Sequence, residues 1–332
     1  MIKYIEPQEL LITKQFIREP VDNLAKEIFD NASSKIVLNG GRGTGKSVIL
    51  HSIENKGLGT NNPTIYTLFD SIINFSVAPN EIFNEMFFEH YYELCFSWKL
   101  LKFIENNYAY TYEMYFKDIE LLLENLLDEL DKKINKVYLD GIFLSRYLSS
   151  TEISAEIVKR LKDCLSLETF NLAIDRFDWT NGRSIFSQQI LSRYFDLFNK
   201  VIITSDDESL IEEENRRQFE EKGYSFITAN YGKNIDVVKC LIKRRIELHN
   251  VSDQTKIYFD ANIITDEIYQ KLINKTNGNI SSMIFSINDV ADWLEWYNGD
   301  VDVAQLFDMT VEEQVNKVIR LKKRSIPPRL YL

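Results

Sequence analysis

Apolar residues recur along the chain in two spacings, one typical of helices and one typical of buried strands. Helical spacing is found at residues 20–31, 80–131 and 150–165. Short β-branched or apolar runs predict strands at residues 35–39, 64–70, 170–175, 200–205 and, as a last edge strand, 225–230. Because helices alternate with these strands, the pattern predicts an α/β fold with a mostly parallel sheet.

A change in this pattern near residue 232 predicts a domain boundary. Beyond it, the apolar positions keep helical spacing to about residue 325, and no further strand is indicated. We therefore expect a core over residues 1–232 with a helical insertion at about 80–131, a small helical domain over 233–298, and a C-terminal helix with a basic tail over 299–332.

Composition and charge narrow the class of protein. The 332 residues include 39 Lys and Arg against 50 Asp and Glu, a net charge of -11, which argues against a generally basic nucleic-acid-binding surface. The three cysteines have no spacing typical of a metal site or a disulfide framework, and we expect buried thiols. No secretory signal and no apolar run of membrane-spanning length is recognised, so we expect a cytoplasmic protein without a membrane partner.

The C-terminal residues differ in charge from the rest of the chain. Residues 317–329 carry six basic and no acidic side chains, which leaves -17 on the remainder. Arg320, Lys322, Lys323 and Arg324 are suited to contact nucleic-acid phosphates, or an acidic face of a partner or sister subunit. A merely solvated tail is the alternative, and six cations do not read a base sequence.

The clearest motif is a glycine-rich loop between a predicted strand and a predicted helix. It consists of Gly40, Gly41, Arg42, Gly43, Thr44, Gly45, Lys46 and Ser47, with Val48 next in the helix. This spacing is that of a phosphate-binding P-loop. Glycines let backbone N–H groups surround a phosphate, Lys46 neutralises phosphate oxygens, Ser47 binds Mg²⁺, and the helix N-terminus adds its dipole.

Polar residues at the ends of two later strands complete the predicted site. Asp175 ends the strand FNLAID and is expected to serve as the carboxylate on the magnesium side, with Asp178 as a second candidate. Thr204 and Ser205 end the strand KVIITS and are candidates to orient the attacking water or to contact the γ-phosphate, although turn capping explains either one equally well.

Two arginines in the segment ENRRQF are candidates for a different role. Arg216 or Arg217 is expected to reach the γ-phosphate of a neighbouring subunit as an arginine finger. The alternative is a solvated helix face on which both pair with local glutamates.

The ordered set FIREPVDNLAKEIF, GGRGTGKS, FNLAIDRFD, KVIITSDD, NRRQF and YGKNIDVVKCLIKRRI resembles the AAA+ ATPases, and within them the origin-recognition-like and STAND-type ATPases. The resemblance covers roughly residues 10–295. It implies that Ile17, Arg18 and Glu19 line the adenine pocket, that Thr204 or Ser205 is the sensor-1 residue, and that the C-terminal helices form a lid over the nucleotide. ATP with Mg²⁺ is the implied cofactor, and homo-oligomers and a protein partner are implied as well.

The chain departs from that family in three places. Arg176 stands where the family usually has the glutamate that polarises water, so hydrolysis is expected to be slow unless Asp178 substitutes. Ser281 or Ser282 stands where the sensor-2 arginine is expected. Only about 35 residues follow Trp296, too few for a winged-helix DNA-binding domain.

Two functions follow as hypotheses. One is an ATPase acting as a nucleotide-driven assembly factor or regulator in DNA replication or transposition of a mobile element or phage. The other is a STAND-like nucleotide switch that controls a partner effector, for example in defence against phage. A scaffold that only binds ATP and a small-molecule kinase are further alternatives. ATP is favoured over GTP because the guanine-reading segment Asn/Thr-Lys-x-Asp is not found.

Overall fold

The computed structural model describes residues 18–41, 43–57, 61–68, 85–134, 153–176, 194–205, 213–248, 265–286 and 290. The strands are β1 (Lys35–Asn39), β2 (Thr64–Leu68), β3 (Asn171–Asp175), β4 (Lys200–Ser205) and β5 (Tyr224–Thr228). The helices are α1 (Arg18–Asp30), α2 (Lys46–Gly57), α3 (Glu85–Asn107), α4 (Ala109–Tyr115), α5 (Lys117–Ile134), α6 (Ile153–Leu165), α7 (Glu213–Glu221), α8 (Ile235–Leu248) and α9 (Asp266–Thr276). Short 3₁₀ turns lie at Phe195–Leu197 and Tyr231–Lys233, and residues 280–286 are helical.

The five strands form one parallel sheet in the order β2-β3-β4-β1-β5. The predicted α/β class is therefore confirmed, and β5 is an edge strand as expected. Every residue of β3 is buried, as are all but the first residue of β1 and β4. Parallel strands covered on both faces are typically apolar throughout, which explains why these segments lack the alternation of a half-exposed strand.

The strand order makes β1 and β4 neighbours, although the chain leaves them in opposite directions. After β1 the chain reaches β2 at one edge of the sheet, and after β4 it reaches β5 at the other edge. Such a divergence opens a crevice outside the carboxyl ends of the two strands, and open α/β sheets bind their ligands there. The glycine-rich loop follows β1 directly in the chain.

The chain divides into two compact units. One contains α1 as far as Phe29, the segment Gly40–Ser52 and the chain from Thr228 onwards; the other contains Asp30–Asn39 and Ile53–Ile227. The second unit therefore holds most of the sheet and the helices α3 to α7. The first holds the glycine-rich loop together with the C-terminal helices.

The second unit has its core between the sheet and the helical insertion. Aromatic rings dominate it: Phe96, Phe103, Phe170, Phe195 and Phe198 are all buried, and Phe170 and Phe198 lie 5.4 Å apart between ring centroids. Ser97 and Ser154 share a hydrogen bond of 2.7 Å, which lets α3 and α6 pack closely. The aromatic residues of the insertion that are described in this core therefore serve packing.

The predicted helical insertion consists of three helices in its described part. Asn107 ends α3 and donates its amide to the Phe103 carbonyl, and Phe116 separates α4 from α5. Backbone bonds from Phe116 to Tyr112 and from Glu120 to Phe116 carry the helical path across that second break. Helical spacing alone did not reveal these interruptions, because the apolar face continues through them.

Two further expectations concern thiols and membranes. Cys164 is half-buried and Cys240 is exposed, so the expectation of three buried thiols is wrong for Cys240, which lies on the solvent side of α8. None of the helices in the described part of the chain is long and apolar enough to cross a bilayer.

Candidate functional site

The glycine-rich loop and the start of α2 form a candidate site within the first unit. Positive φ angles at Gly43 (80°) and Gly45 (91°) let the backbone turn between strand and helix, and other residues rarely adopt them. Thr44 Oγ1 donates to the Gly41 carbonyl at 2.9 Å, and Ile49 N donates to the Gly45 carbonyl at 3.2 Å to begin the helix. The predicted order of strand, glycine-rich loop and helix is thus present.

Lys46 lies at the centre of this loop and is only 6 % exposed. Its ammonium donates to the Gly40 carbonyl at 2.6 Å and to the Gly41 carbonyl at 3.0 Å. These bonds hold the charge over the loop at the N-terminus of α2, where the helix dipole also favours an anion. The arrangement suits a phosphate group.

Two residues near the C-terminal helices contact the same loop. A Cβ atom added to Gly45 would collide with the Tyr231 hydroxyl, and one added to Gly43 would collide with the Asn279 amide. Ile280 N donates to the Gly43 carbonyl at 3.0 Å. The first unit thus packs residues 231 and 279–280 directly on its glycine-rich loop.

Asn279 and Tyr231 are themselves held in place. Asn279 Oδ1 accepts a bond of 2.9 Å from Ser282 N and caps the helical segment 280–286. Burial raises the pKa of Tyr231, so its hydroxyl stays protonated and remains a hydrogen-bond donor. Of the two positions at which the family resemblance placed an arginine, Ser281 is half-buried and Ser282 is buried at 6 % exposure.

Asp175 forms the centre of a second group of polar residues, within the second unit. It ends β3 as predicted, and it is 2 % exposed. Thr204 Oγ1 donates to Asp175 Oδ1 at 2.6 Å, and the Tyr66 hydroxyl donates to Asp175 Oδ2 at 3.0 Å. Burial, followed by the Asp175 charge, raises the pKa of Tyr66 and keeps this phenol a donor.

Arg176 completes the network through its backbone. Its N–H lies 3.0 Å from Asp175 Oδ1 and 2.8 Å from Thr204 Oγ1. Arg176 has a left-handed φ of 59°, which costs a residue with a side chain about 1 kcal/mol. The network fixes both oxygens of Asp175 at the carboxyl edge of the sheet, and the Arg176 side chain itself is exposed.

The other predicted residues of the second unit differ in their surroundings. Ser205 ends β4 and is fully buried, opposite Asn39 in the register of β1 and β4. Arg216 is exposed on α7, pairs with Glu220 at 2.8 Å and lies 5.4 Å from the centre of the Phe226 ring. Arg217 is exposed beside it. The local pairing of Arg216 matches the solvated-face alternative, and the finger role stays a prediction.

Several predicted residues lie outside the described part of the chain: Ile17, Arg42, Asp178, Arg320, Lys322, Lys323 and Arg324. Arg18 and Glu19 are described only as the first backbone positions of α1. Ser47 and Val48 lie in the first turn of α2. Lys46 belongs to the first unit and Asp175 to the second.

The predicted magnesium ion requires protein oxygen atoms as ligands. In the described part of the chain, no group of three or more His, Cys, Asp and Glu side chains is placed to hold a metal ion. Mg²⁺ is usually bound by one or two protein oxygens together with phosphates and waters. Ser47 and Asp175 fit that requirement by donor type.

Sequence reasoning missed Tyr66, Tyr231 and Asn279. Tyr66 pairs with Ala173 in the β2–β3 register, so Asp175, two residues further on, lies diagonally across on the same face. The apolar pattern of TIYTL indicated a strand, but the sequence did not indicate that this strand pairs with β3. Asn279 adjoins a left-handed Asn277 and Gly278 at the end of α9, a helix-stop signal that sequence reasoning did not connect to the loop.

No protein-family model matches the chain, and no curated protein matches it either.

Proposed function

We propose that the chain is a Mg-ATP-binding P-loop ATPase of the AAA+ type that hydrolyses slowly and acts as a nucleotide-controlled assembly factor. The observation that carries this proposal is the place of the glycine-rich loop in the chain. The loop directly follows β1; after β1 the chain continues to β2 at one edge of the sheet, whereas after the neighbouring strand β4 it continues to β5 at the other edge. A P-loop at the divergence of a parallel sheet is where nucleotide phosphates are expected.

The proposed roles follow from the chemistry of each group. Lys46 neutralises the β- and γ-phosphates, and backbone N–H groups of the glycine-rich loop bind the β-phosphate. Ser47 and Asp175 are the magnesium-side groups. Thr204, already bonded to Asp175 at 2.6 Å, is the sensor that responds to the γ-phosphate.

Slow hydrolysis is proposed because of the residue after Asp175. That position holds Arg176, whose backbone N–H is engaged by Asp175 and Thr204 and whose side chain cannot act as a carboxylate base. Asp178, three residues after Asp175 in the chain, is the proposed substitute. The C-terminal helices from α8 onwards are proposed as the lid, since Tyr231, Asn279 and Ile280 contact the glycine-rich loop.

The same observations favour a second candidate, the STAND-like switch with a partner effector. Ser281 and Ser282, the two candidate positions for a sensor-2 arginine that would assist turnover, carry no positive charge. A protein lacking both the catalytic glutamate and that arginine is suited to hold ATP rather than to consume it rapidly. Binding and turnover measured separately distinguish the two candidates.

Two assays test the proposal. Calorimetric titration with ATP and with GTP, with and without Mg²⁺, is expected to show Mg²⁺-dependent binding that prefers ATP; no binding of either nucleotide would refute it. A single-turnover assay then compares wild type with Asp178→Ala. If Asp178 positions the water, the variant keeps its affinity for ATP and loses hydrolysis; equal hydrolysis rates would remove Asp178 from the mechanism.

A further inference from the structure

The helical insertion carries a concentrated apolar surface. Among the described residues, six large hydrophobic side chains are exposed, and five of them lie on α4 and α5. These five define the apolar patch: Tyr110 (78 % exposed), Met114 (59 %), Tyr115 (48 %), Leu121 (60 %) and Leu122 (46 %). Single exposed apolar residues are ordinary on a protein surface, whereas a group on one element indicates an interface.

Three residues of the apolar patch lie along one side of a nearly continuous helical path. Because i→i-4 bonding continues across Phe116, Tyr110, Met114 and Leu121 keep the spacing i, i+4, i+11 and share a face. A surface groove of about 480 Å³ lies beside them, lined by Met114, Tyr115, Lys117, Asp118 and Arg160. Such a stripe next to a groove suits an amphipathic helix laid along it.

The charge around the patch indicates the sign of its partner. Residues 109–134 contain seven acidic and three basic side chains, and with Arg160 of the groove included the net charge around the patch is -3. The basic C-terminal segment has the opposite character, with six cations between Lys317 and Arg329 and no acid. Its residues 310–325 have helical apolar spacing at Val311, Val315, Val318 and Ile319.

We propose that the apolar patch on α4 and α5 binds the basic segment, residues 310–329, of a second copy of this chain. Apolar residues of the segment cover the patch while its cations face the acidic side chains around it. The contact joins two different surfaces, so it is head-to-tail and adds further copies, which form a ring or a filament according to the rotation between them. It requires no nucleotide and is independent of the proposed ATPase function.

The test uses the full chain and two complementary variants. The patch variant carries Tyr110→Ser, Met114→Ser and Leu121→Ser; the tail variant carries Arg320→Glu, Lys323→Glu and Arg324→Glu. Phe285→Ser is the matched control, because Phe285 is the sixth exposed large apolar residue and lies outside the insertion. Sedimentation velocity over a concentration series measures association, and circular dichroism checks that each variant is folded.

We expect concentration-dependent association of wild type and Phe285→Ser, and at least a ten-fold weaker association of each variant alone. Mixing the patch variant with the tail variant restores one contact, because the mixture contains one intact patch and one intact tail. Wild type that stays monomeric up to about 1 mM, the weak end of specific affinities, would overturn the proposal. So would a mixture that fails to associate, or a patch variant that associates like wild type.

The substitutions leave the fold intact on physical grounds, because all three patch side chains are exposed. Should the triple variant nevertheless unfold, Leu122→Lys alone places a cation at an exposed position where it repels the basic segment and disfavours burial of that segment's apolar side chains, and the same weakening of association is expected. Rising salt is expected to weaken association in wild type, since the contact pairs opposite charges. Association that is unchanged by salt would contradict the charge pairing.

Discussion

The Tyr66 hydroxyl and Asp175 Oδ2 lie 3.0 Å apart, so a phenol on the edge strand β2 holds a buried carboxylate on the next strand. Thr204 on β4 holds the other oxygen of that carboxylate at 2.6 Å. Three adjacent strands thus orient one negative charge at the carboxyl edge of the sheet. Such positioning is what a metal-side carboxylate needs, because its free rotation would weaken ion binding.

Replacing Tyr66 by Phe tests the phenol in this arrangement. The variant loses one hydrogen bond to a charged group, at a cost of about 1–3 kcal/mol in unfolding free energy. We expect a lower midpoint of urea unfolding and a several-fold weaker affinity for ATP with Mg²⁺. Affinity for ATP without Mg²⁺ should change little. An equal loss under both conditions would contradict the role of Tyr66 in orienting a magnesium-side group.

Thr204 gives a sharper comparison, because two substitutions separate its hydroxyl from its shape. Thr204→Val removes the donor to Asp175 and one of the two acceptors of Arg176 N, whose bond to Asp175 Oδ1 remains. A loss of about 1.5–3 kcal/mol in unfolding free energy is expected, because the lost hydrogen bond ends on a carboxylate. Thr204→Ser keeps the hydroxyl and should retain ATP hydrolysis. If Val and Ser behave alike in unfolding and turnover assays, the hydroxyl has no special role.

Gly45 tests the contact between the glycine-rich loop and Tyr231. Gly45→Ala places a methyl group against the Tyr231 hydroxyl at a φ of 91°. Gly223→Ala is the matched control, since Gly223 has a φ of 84° and no atom within 4 Å of the added Cβ. The control should lose about 1 kcal/mol from backbone strain alone. Gly45→Ala should lower the free energy of unfolding clearly more than the control does in thermal unfolding. Equal losses in the two variants would show that Tyr231 moves aside without an energetic cost.

The strands were largely predictable from the sequence. The predicted and observed bounds coincide at residues 35–39 and 200–205, and β3 and β5 differ from prediction by one or two residues at their ends. These segments are short apolar runs between turn signals, and strands buried on both faces have this signature. The positions of Asp175 and Thr204 at the carboxyl ends of β3 and β4 were predictable for the same reason.

The contacts that depend on strand order were not predictable. Tyr66 reaches Asp175 only because β2 pairs with β3, a choice made between segments more than 100 residues apart. The approach of Tyr231 and Asn279 to the glycine-rich loop likewise joins distant parts of the chain. A local sequence pattern predicts whether a residue lies in a helix or a strand. Which strands pair, and which distant residues come into contact, depends on the packing of the whole core.

The basic C-terminal segment makes a prediction about nucleic acid. If it contacts phosphates, binding of duplex DNA should weaken steeply with salt, and Lys322→Ala with Lys323→Ala and Arg324→Ala should lower the magnitude of the log–log salt slope by about 3. Fluorescence anisotropy with labelled DNA over a salt series measures this slope. A slope that is the same in wild type and the triple variant would place any DNA contact elsewhere.

The measurement that tests the account most directly is calorimetric binding of ATP with Mg²⁺ to wild type, Lys46→Ala and Lys56→Ala. Lys56 lies in the last turn of the same helix, at the end opposite to the glycine-rich loop, and serves as the control. We predict that wild type and Lys56→Ala bind ATP alike and that Lys46→Ala shows no measurable binding. ATP binding retained at wild-type affinity in a folded Lys46→Ala variant would contradict the assignment of the glycine-rich loop as the phosphate site.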